Sequence, residues 1–174
     1  MFTPFFWINP LHHGSLFWLL TLLTLTLLVI LTLLGREMKQ RGADIVQFEL
    51  AGTLARAERI LDDWGEVGRM HAAVIQGLDY LFLTVYPLAI GLGCVLVAER
   101  WGAPFAALGM ALAWAQFGAA TLDAVENYAL IRLLLGDRSP RWPPLARWCA
   151  LPKFAIVAAG LVYVLVGAVA TWWV

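Results

Sequence analysis

Four long apolar stretches of the chain constrain its fold more than any other feature. They cover approximately residues 16–34, 73–98, 103–135 and 154–174. A helix that crosses a bilayer needs about 20 apolar residues, because it rises only about 1.5 Å per residue. Each stretch is therefore predicted to span a membrane. The expected fold is an all-α integral membrane protein, a four-helix transmembrane bundle that forms one membrane domain over residues 1–174.

The composition leads to the same conclusion. Of the 174 residues, 61% are hydrophobic and 14% are charged, whereas soluble domains average about 45–50% apolar and about 25% charged residues. A soluble domain of this size leaves too much of its surface exposed to hide this apolar excess. The formal net charge is zero, and Lys and Arg do not cluster with aromatic residues. We therefore expect membrane lipids as partners and no nucleic acid.

The basic residues predict the orientation of the spans. Only Arg100 lies on one side of the membrane, and the other eleven of the twelve Lys and Arg residues lie on the opposite side. Cytoplasmic loops carry the excess of Lys and Arg. We therefore expect a bacterial inner-membrane protein with both termini periplasmic and the two long loops cytoplasmic. Tryptophans at both ends of the spans fit aromatic belts, an inner one of Trp64, Trp142 and Trp148 and an outer one of Trp7, Trp18, Trp101, Trp172 and Trp173.

Small residues inside the spans indicate where helices approach closely. The second and third spans are joined by a short loop, Glu99 to Gly102, so they are expected to be antiparallel neighbours. Small side chains allow the backbones of membrane helices to come together. The positions expected to do this are Gly91, Gly93, Gly109, Ala113, Gly160 and Gly167.

The segment between the first two spans has a different pattern. Apolar residues recur at steps of three and four between Gly42 and Gly65, and charged residues recur at the same steps on another face. This pattern predicts an amphipathic helix over residues 43–64 at the cytoplasmic surface, with the two glycines as its stops. The helix could simply connect two spans in the headgroup plane. Its mixed charge also fits a lid or a docking surface for a protein partner.

Five polar residues inside the spans form the candidate site. Asp123, Glu126 and Asn127 share one face of the third span, because they are three and four residues apart. Asp79 and Tyr86 share a face of the second span, seven residues apart. Ionisable side chains within a span are expensive and mark functional sites by default. We therefore predict one polar cluster in the cytoplasmic half of the bundle.

The depths of these residues support a single cluster. Counted from Arg132, Glu126 lies about 9 Å and Asp123 about 13 Å deep at 1.5 Å per residue. Counted from His71, Asp79 lies about 12 Å deep by the same rule. Three carboxylates at similar depth, with no obvious buried cation in the sequence, cannot all be ionised in a medium of low dielectric constant. The candidate cationic partners are Arg69, His71 and Arg132.

The residues alone leave three functions open. The acidic pocket could bind a lipid-like, amine or cationic ligand, which is the function we favour. The carboxylates could instead fix helix register in an accessory or structural subunit of a larger membrane complex. They could also provide acid–base chemistry to an intramembrane enzyme that acts on an apolar substrate, so whether the protein is an enzyme is left undecided.

No cofactor or metal is predicted. His12 and His13 lie near one end of the spans and His71 near the other, and no zinc-ligand spacing occurs. A glycine-rich phosphate loop is also missing from the sequence. Cys94 and Cys149 are expected to be free thiols, because the topology separates them.

Three motifs resemble a known family. They are FELAGTLARAERILDDWG (Phe48–Gly65), LDYLFLTVYPLAI (Leu78–Ile90) and LDAVENYAL (Leu122–Leu130). Together they are similar to a family of small bacterial four-span membrane proteins of unassigned function, over about residues 44–135. The resemblance implies no activity. It implies only that the five polar residues of the predicted cluster are the positions of interest.

Overall fold

The computed structural model describes residues 3–171 of the chain. Within that range the regular secondary structure is entirely helical. A 3-10 turn at Pro10–His12 leads into five α-helices: α1 (His13–Gln40), α2 (Ile45–Glu49), α3 (Leu54–Ala98), α4 (Phe105–Leu134) and α5 (Trp142–Thr171).

Four of these helices are long and apolar enough to cross a membrane, namely α1, α3, α4 and α5. The predicted all-α membrane protein is confirmed at this level. The helices extend beyond the predicted spans, most clearly where α5 begins at Trp142. Proline is compatible with the first turn of a helix, since the N–H groups there have no intrahelical partner. Residues 172–174, which include the two outer-belt residues Trp172 and Trp173, lie outside the described range.

The predicted continuous amphipathic helix over residues 43–64 is wrong in one respect, because the segment forms two helices. α2 begins with a capping box, in which Asp44 and Gln47 exchange two hydrogen bonds of 2.9 Å. It ends at Glu49, and the chain is non-helical until α3 begins at Leu54. The reason is Gly52, whose φ of +71° is left-handed and interrupts a right-handed helix.

The second predicted helix stop lies where the helix is interrupted. Gly65 has a non-helical φ of +60° and ψ of −165°, so α3 consists of two helices that meet at a kink at this residue. The helix that begins at Leu54 therefore ends at Gly65, and a second helix runs from there to Ala98. A residue with a Cβ atom would be strained at this backbone conformation.

The described chain divides into two compact units. The first unit takes its residues from Met1–Leu25, Thr84–Thr121 and Lys153–Val174, and the second from Thr26–Leu83 and Leu122–Pro152. Each unit contains segments of α1, α3, α4 and α5, so each is a helical bundle in its own right.

The core of the second unit is centred on Trp64. Its side chain is fully buried, and its indole N–H donates a 2.8 Å hydrogen bond to the Ala43 carbonyl. The Phe48 ring lies 5.0 Å from it, centroid to centroid. Met38 and Leu130 belong to the same buried cluster. Buried apolar residues of the segment 43–64 therefore belong to the core of this unit.

The core of the first unit includes an aromatic residue that precedes α1. Phe5 is only 1% exposed, and its ring lies 6.1 Å from that of Phe117 on α4. It also contacts the position where Gly91 has no side chain. The Tyr163 hydroxyl on α5 donates to the Phe105 carbonyl at 3.0 Å.

The expected close helix approaches are confirmed at the glycines. A Cβ atom at any of these positions would meet another atom within 3.3 Å or less: Gly91, Gly93, Gly109, Gly160 and Gly167. By contrast, a Cβ at Gly118 would meet nothing within 4 Å. These five glycines therefore allow helix contact in the first unit.

Candidate functional site

The three predicted residues of α4 are all buried. Asp123 is 3% exposed, Glu126 is fully buried and Asn127 is 1% exposed. Helical spacing places them on one face, which points into the second unit. Two carboxyl groups and an amide are therefore removed from the surface within a little more than one helical turn.

Asp79 joins this group from α3. The Asn127 Nδ2 donates a hydrogen bond to Asp79 Oδ2 at 2.5 Å. An amide that donates to a carboxylate makes a charge-assisted hydrogen bond, which is stronger than one between neutral groups. Asp79 is half-buried, so the second unit contains an acid–amide link between α3 and α4 with one edge nearer the surface.

Sequence reasoning missed two further polar residues on α3. Gln76 is 1% exposed, and its Oε1 accepts no hydrogen bond from any residue in the described range. The Tyr80 hydroxyl donates to the Ala124 carbonyl of α4 at 3.3 Å.

The signal for these two residues was present in the spacing. Gln76, Asp79 and Tyr80 follow the i, i+3, i+4 pattern that Asp123, Glu126 and Asn127 follow on α4. A search for ionisable groups alone passes over a glutamine. We define the polar cluster by the second-unit residues Gln76, Asp79, Tyr80, Asp123, Glu126 and Asn127.

Tyr86, the fifth predicted residue, belongs to the first unit and is 4% exposed there. Its membership of the cluster stays a prediction.

The candidate cationic partners contact other groups. Arg69 forms an ion pair with Asp62 at 2.9 Å, and Arg132 pairs with Asp137 at 2.8 Å. The His71 ring lies 2.9 Å from a backbone carbonyl on its own helix. Within residues 3–171, none of the three side chains pairs with a carboxylate of the polar cluster.

Asp137, the partner of Arg132, carries its negative charge over the physiological pH range. The hydrogen bond from the Arg132 guanidinium, together with one from the backbone N–H of Ser139, lowers the pKa of the Asp137 carboxyl to about 2. A carboxyl with a lowered pKa stays ionised until the pH approaches that value. Arg132 therefore keeps this partner, which lies outside the spans, at neutral and mildly acidic pH.

Lys153, which lies one residue before the predicted fourth span, is a buried cation. It lies inside α5 and is 7% exposed, with its Nζ 4.7 Å from the centroid of the Phe154 ring. Lys153 belongs to the first unit. Its place inside α5 was not predicted, because the apolar run was taken to begin at Phe154, although the helix begins twelve residues earlier.

Each unit also has a cavity that is lined by residues outside the polar cluster. The one in the first unit measures about 450 Å³ and is walled mainly by apolar side chains of α4 and α5, with Val97 and Trp101 also in its lining. The one in the second unit measures about 210 Å³ and lies between Gly52 and the start of α5.

A double-mutant cycle measures the link between α3 and α4. Asn127→Leu should lower the free energy of unfolding by about 1–3 kcal/mol, because the half-buried Asp79 loses the hydrogen-bond donor of the buried Asn127. Changing both residues to leucine should cost less than the sum of the single changes, with a coupling of about 0.5–2 kcal/mol. Chemical denaturation in detergent micelles gives these values. Additive costs would contradict the link.

Comparison of the chain with protein-family models, with curated proteins and with solved structures gives no match. The function therefore has to be argued from the geometry of the polar cluster.

Proposed function

We propose that the protein is a small bacterial inner-membrane protein that binds a lipid-like molecule with an amine or other cationic group at the polar cluster. The observation that carries the proposal is the burial of Asp123 and Glu126, which are 3% and 0% exposed on one face of α4. In the proposed orientation both termini are periplasmic, and the cluster lies in the cytoplasmic half of the membrane.

The chemistry of the cluster favours a cationic ligand. Its three carboxylates, on Asp79, Asp123 and Glu126, are acceptors when ionised, and the Oε1 of Gln76 is a further acceptor. An ammonium group brings three donors and a positive charge to such a set. Carboxylates that are removed from water gain more from a nearby cation than exposed ones do, because the local dielectric constant is low.

The position of the cluster favours an apolar body on that ligand. The cluster residues lie on α3 and α4, which are both long and apolar enough to span a membrane. Asp79 is half-buried and Tyr80 is 37% exposed, so the accessible edge of the cluster faces the surroundings of the spans. A molecule that reaches this edge through lipid needs an apolar tail.

A second function is favoured by the hydrogen bond between Asn127 and Asp79. Such a bond between two spanning helices can fix their register, as expected of a structural subunit in a larger membrane complex. The large exposed apolar surface of α1, with Leu19 62% and Leu22 65% exposed, is consistent with this alternative and with contact to lipid.

The binding experiment compares two ligands that have tails of equal length and different head groups. The protein is placed in nanodiscs of zwitterionic lipid, and native mass spectrometry measures the binding of dodecylamine and of dodecanol. We expect the amine to bind at least about tenfold more tightly, a difference of about 1.4 kcal/mol. Glu126→Gln and Asp123→Asn should each remove most of this preference, since each removes a buried negative charge.

Asp137→Asn is the matched control, because this carboxyl lies outside the spans and pairs with Arg132. It should keep the preference for the amine. Equal binding of amine and alcohol to the native protein would refute the ligand proposal. If Asn127→Leu then lowered the melting temperature, the structural function would be favoured in its place.

A further inference from the structure

The cavity of the second unit is a small site at one end of α5. It has a volume of about 210 Å³ and is lined by Gly52, Pro144, Arg147, Trp148 and Leu151. Four of these residues come from the first three turns of α5, and Gly52 comes from the break between α2 and α3. The cavity is separate in sequence and in lining from the polar cluster, so it calls for its own explanation.

Arg147 provides the charge of this cavity. Its guanidinium makes no hydrogen bond or ion pair with any residue in the range 3–171. Other arginines of the same end are engaged: Arg138 lies 3.6 Å from Glu58, and Arg141 lies 4.2 Å from the centroid of the Trp142 ring. Arg147 therefore has its full set of donors available to a ligand.

Gly52 provides the space that Arg147 occupies. A Cβ atom at residue 52 would lie 3.0 Å from both Cδ and Nη1 of Arg147. The positive φ of Gly52 also disfavours any other residue. The break between α2 and α3 thus places the backbone of Gly52, which has no side chain, next to Arg147. Both residues line the cavity.

The other side of the cavity is amphipathic. Trp148 is 74% exposed and Leu151 is 46% exposed, next to a charged residue at the end of a spanning helix. Tryptophan is enriched at the membrane–water interface, where one part of its ring contacts apolar groups and the N–H meets polar ones.

We propose that this cavity binds the phosphodiester headgroup of an anionic phospholipid. Arg147 donates two parallel hydrogen bonds to the phosphate oxygens, a geometry that the planar guanidinium suits. Trp148 and Leu151 contact the glycerol and the upper part of the acyl chains. A lipid is favoured over free phosphate because three of the five lining residues, Pro144, Trp148 and Leu151, are apolar. In the proposed orientation, the basic end of the spans also faces the leaflet that is rich in anionic lipid.

The test uses the full-length protein in phosphatidylcholine nanodiscs, with phosphatidylglycerol added at increasing mole fraction. Native mass spectrometry counts the lipids that stay bound to the protein. The native protein should retain phosphatidylglycerol in preference to phosphatidylcholine. Arg147→Gln should lower that preference about tenfold, as expected when a charge-assisted hydrogen-bond pair is lost.

Arg141→Gln is the matched control, because it removes the same charge from the same end of α5 and should leave the preference intact. Equal losses in both variants would overturn the proposal in favour of general charge attraction. Competition by inorganic phosphate at millimolar concentration would identify a free-anion site and would likewise overturn it. Arg147→Lys keeps the positive charge but loses the planar pair of donors. This variant should therefore fold normally and lose part of the preference for phosphatidylglycerol.

Discussion

Replacing Trp64 by alanine is expected to lower the free energy of unfolding by about 3–5 kcal/mol, the usual cost of removing a buried tryptophan. The side chain is fully buried in the second unit, 5.0 Å from the Phe48 ring. Its removal also leaves the Ala43 carbonyl without the indole donor that now lies 2.8 Å away. Lost packing and a lost hydrogen bond therefore act in the same direction.

Trp148→Ala is the matched control for this prediction. It deletes the same side chain from the same unit, but at a position that is 74% exposed. Thermal unfolding in detergent can be monitored by size-exclusion chromatography of heated samples. The melting temperature of Trp64→Ala should be about 10 °C lower than that of the native protein, whereas that of Trp148→Ala should change little. Similar melting temperatures for both variants would contradict the packing that we describe around Trp64.

The four long helices could be predicted because lipid imposes a simple rule on sequence. A span must be long and apolar, and the four stretches of this chain satisfy that rule without reference to any contact. The close helix approaches could also be predicted, because small side chains allow the backbones of membrane helices to come together. Five predicted glycines do lie where a Cβ atom would meet a neighbouring atom.

The interruption at Gly52 could not be predicted from the same kind of pattern. Apolar residues before and after it keep helical spacing, so periodicity alone continues the helix from residue 43 to 64. A Cβ atom at Gly52 would also lie 3.0 Å from the side chain of Arg147, which is 95 residues further along the chain, and no local pattern reveals that proximity. The burial of Phe5 is similar, since nothing near it in sequence indicates that its ring packs against Phe117.

The polar cluster was predictable in part. A carboxylate inside a span stands out, so Asp79, Asp123 and Glu126 were found from residue type and depth. Gln76 was not found, because an uncharged side chain in an apolar run has no comparable cost. Lys153 is not a cluster residue, and its place inside α5 was not predicted because a helix can begin before its apolar run begins.

Changing Gly109 to alanine is expected to lower the free energy of unfolding by about 1–3 kcal/mol, the cost of overpacking a filled interior. A Cβ atom there would overlap the Tyr163 hydroxyl and would lie 2.7 Å from Cζ and 2.8 Å from Cε1 of that ring. The ring is 9% exposed, and its hydroxyl donates to the Phe105 carbonyl at 3.0 Å. Any shift that relieves the overlap also weakens this hydrogen bond.

Gly118→Ala on the same helix should have the opposite sign. The new Cβ would meet nothing within 4 Å, and alanine favours a helix over glycine by about 0.8–1.0 kcal/mol. The two substitutions are chemically identical and differ only in the atoms that face the substituted position. The free energies of unfolding of the two variants, measured by thermal unfolding, should therefore differ by about 2–4 kcal/mol, which is the sum of the two opposite effects. Adding Tyr163→Phe to Gly109→Ala removes the nearest overlapping atom and should recover part of the loss. A stabilising shift in both alanine variants would mean that helix propensity, and not the contact between α4 and α5, decides the outcome at Gly109.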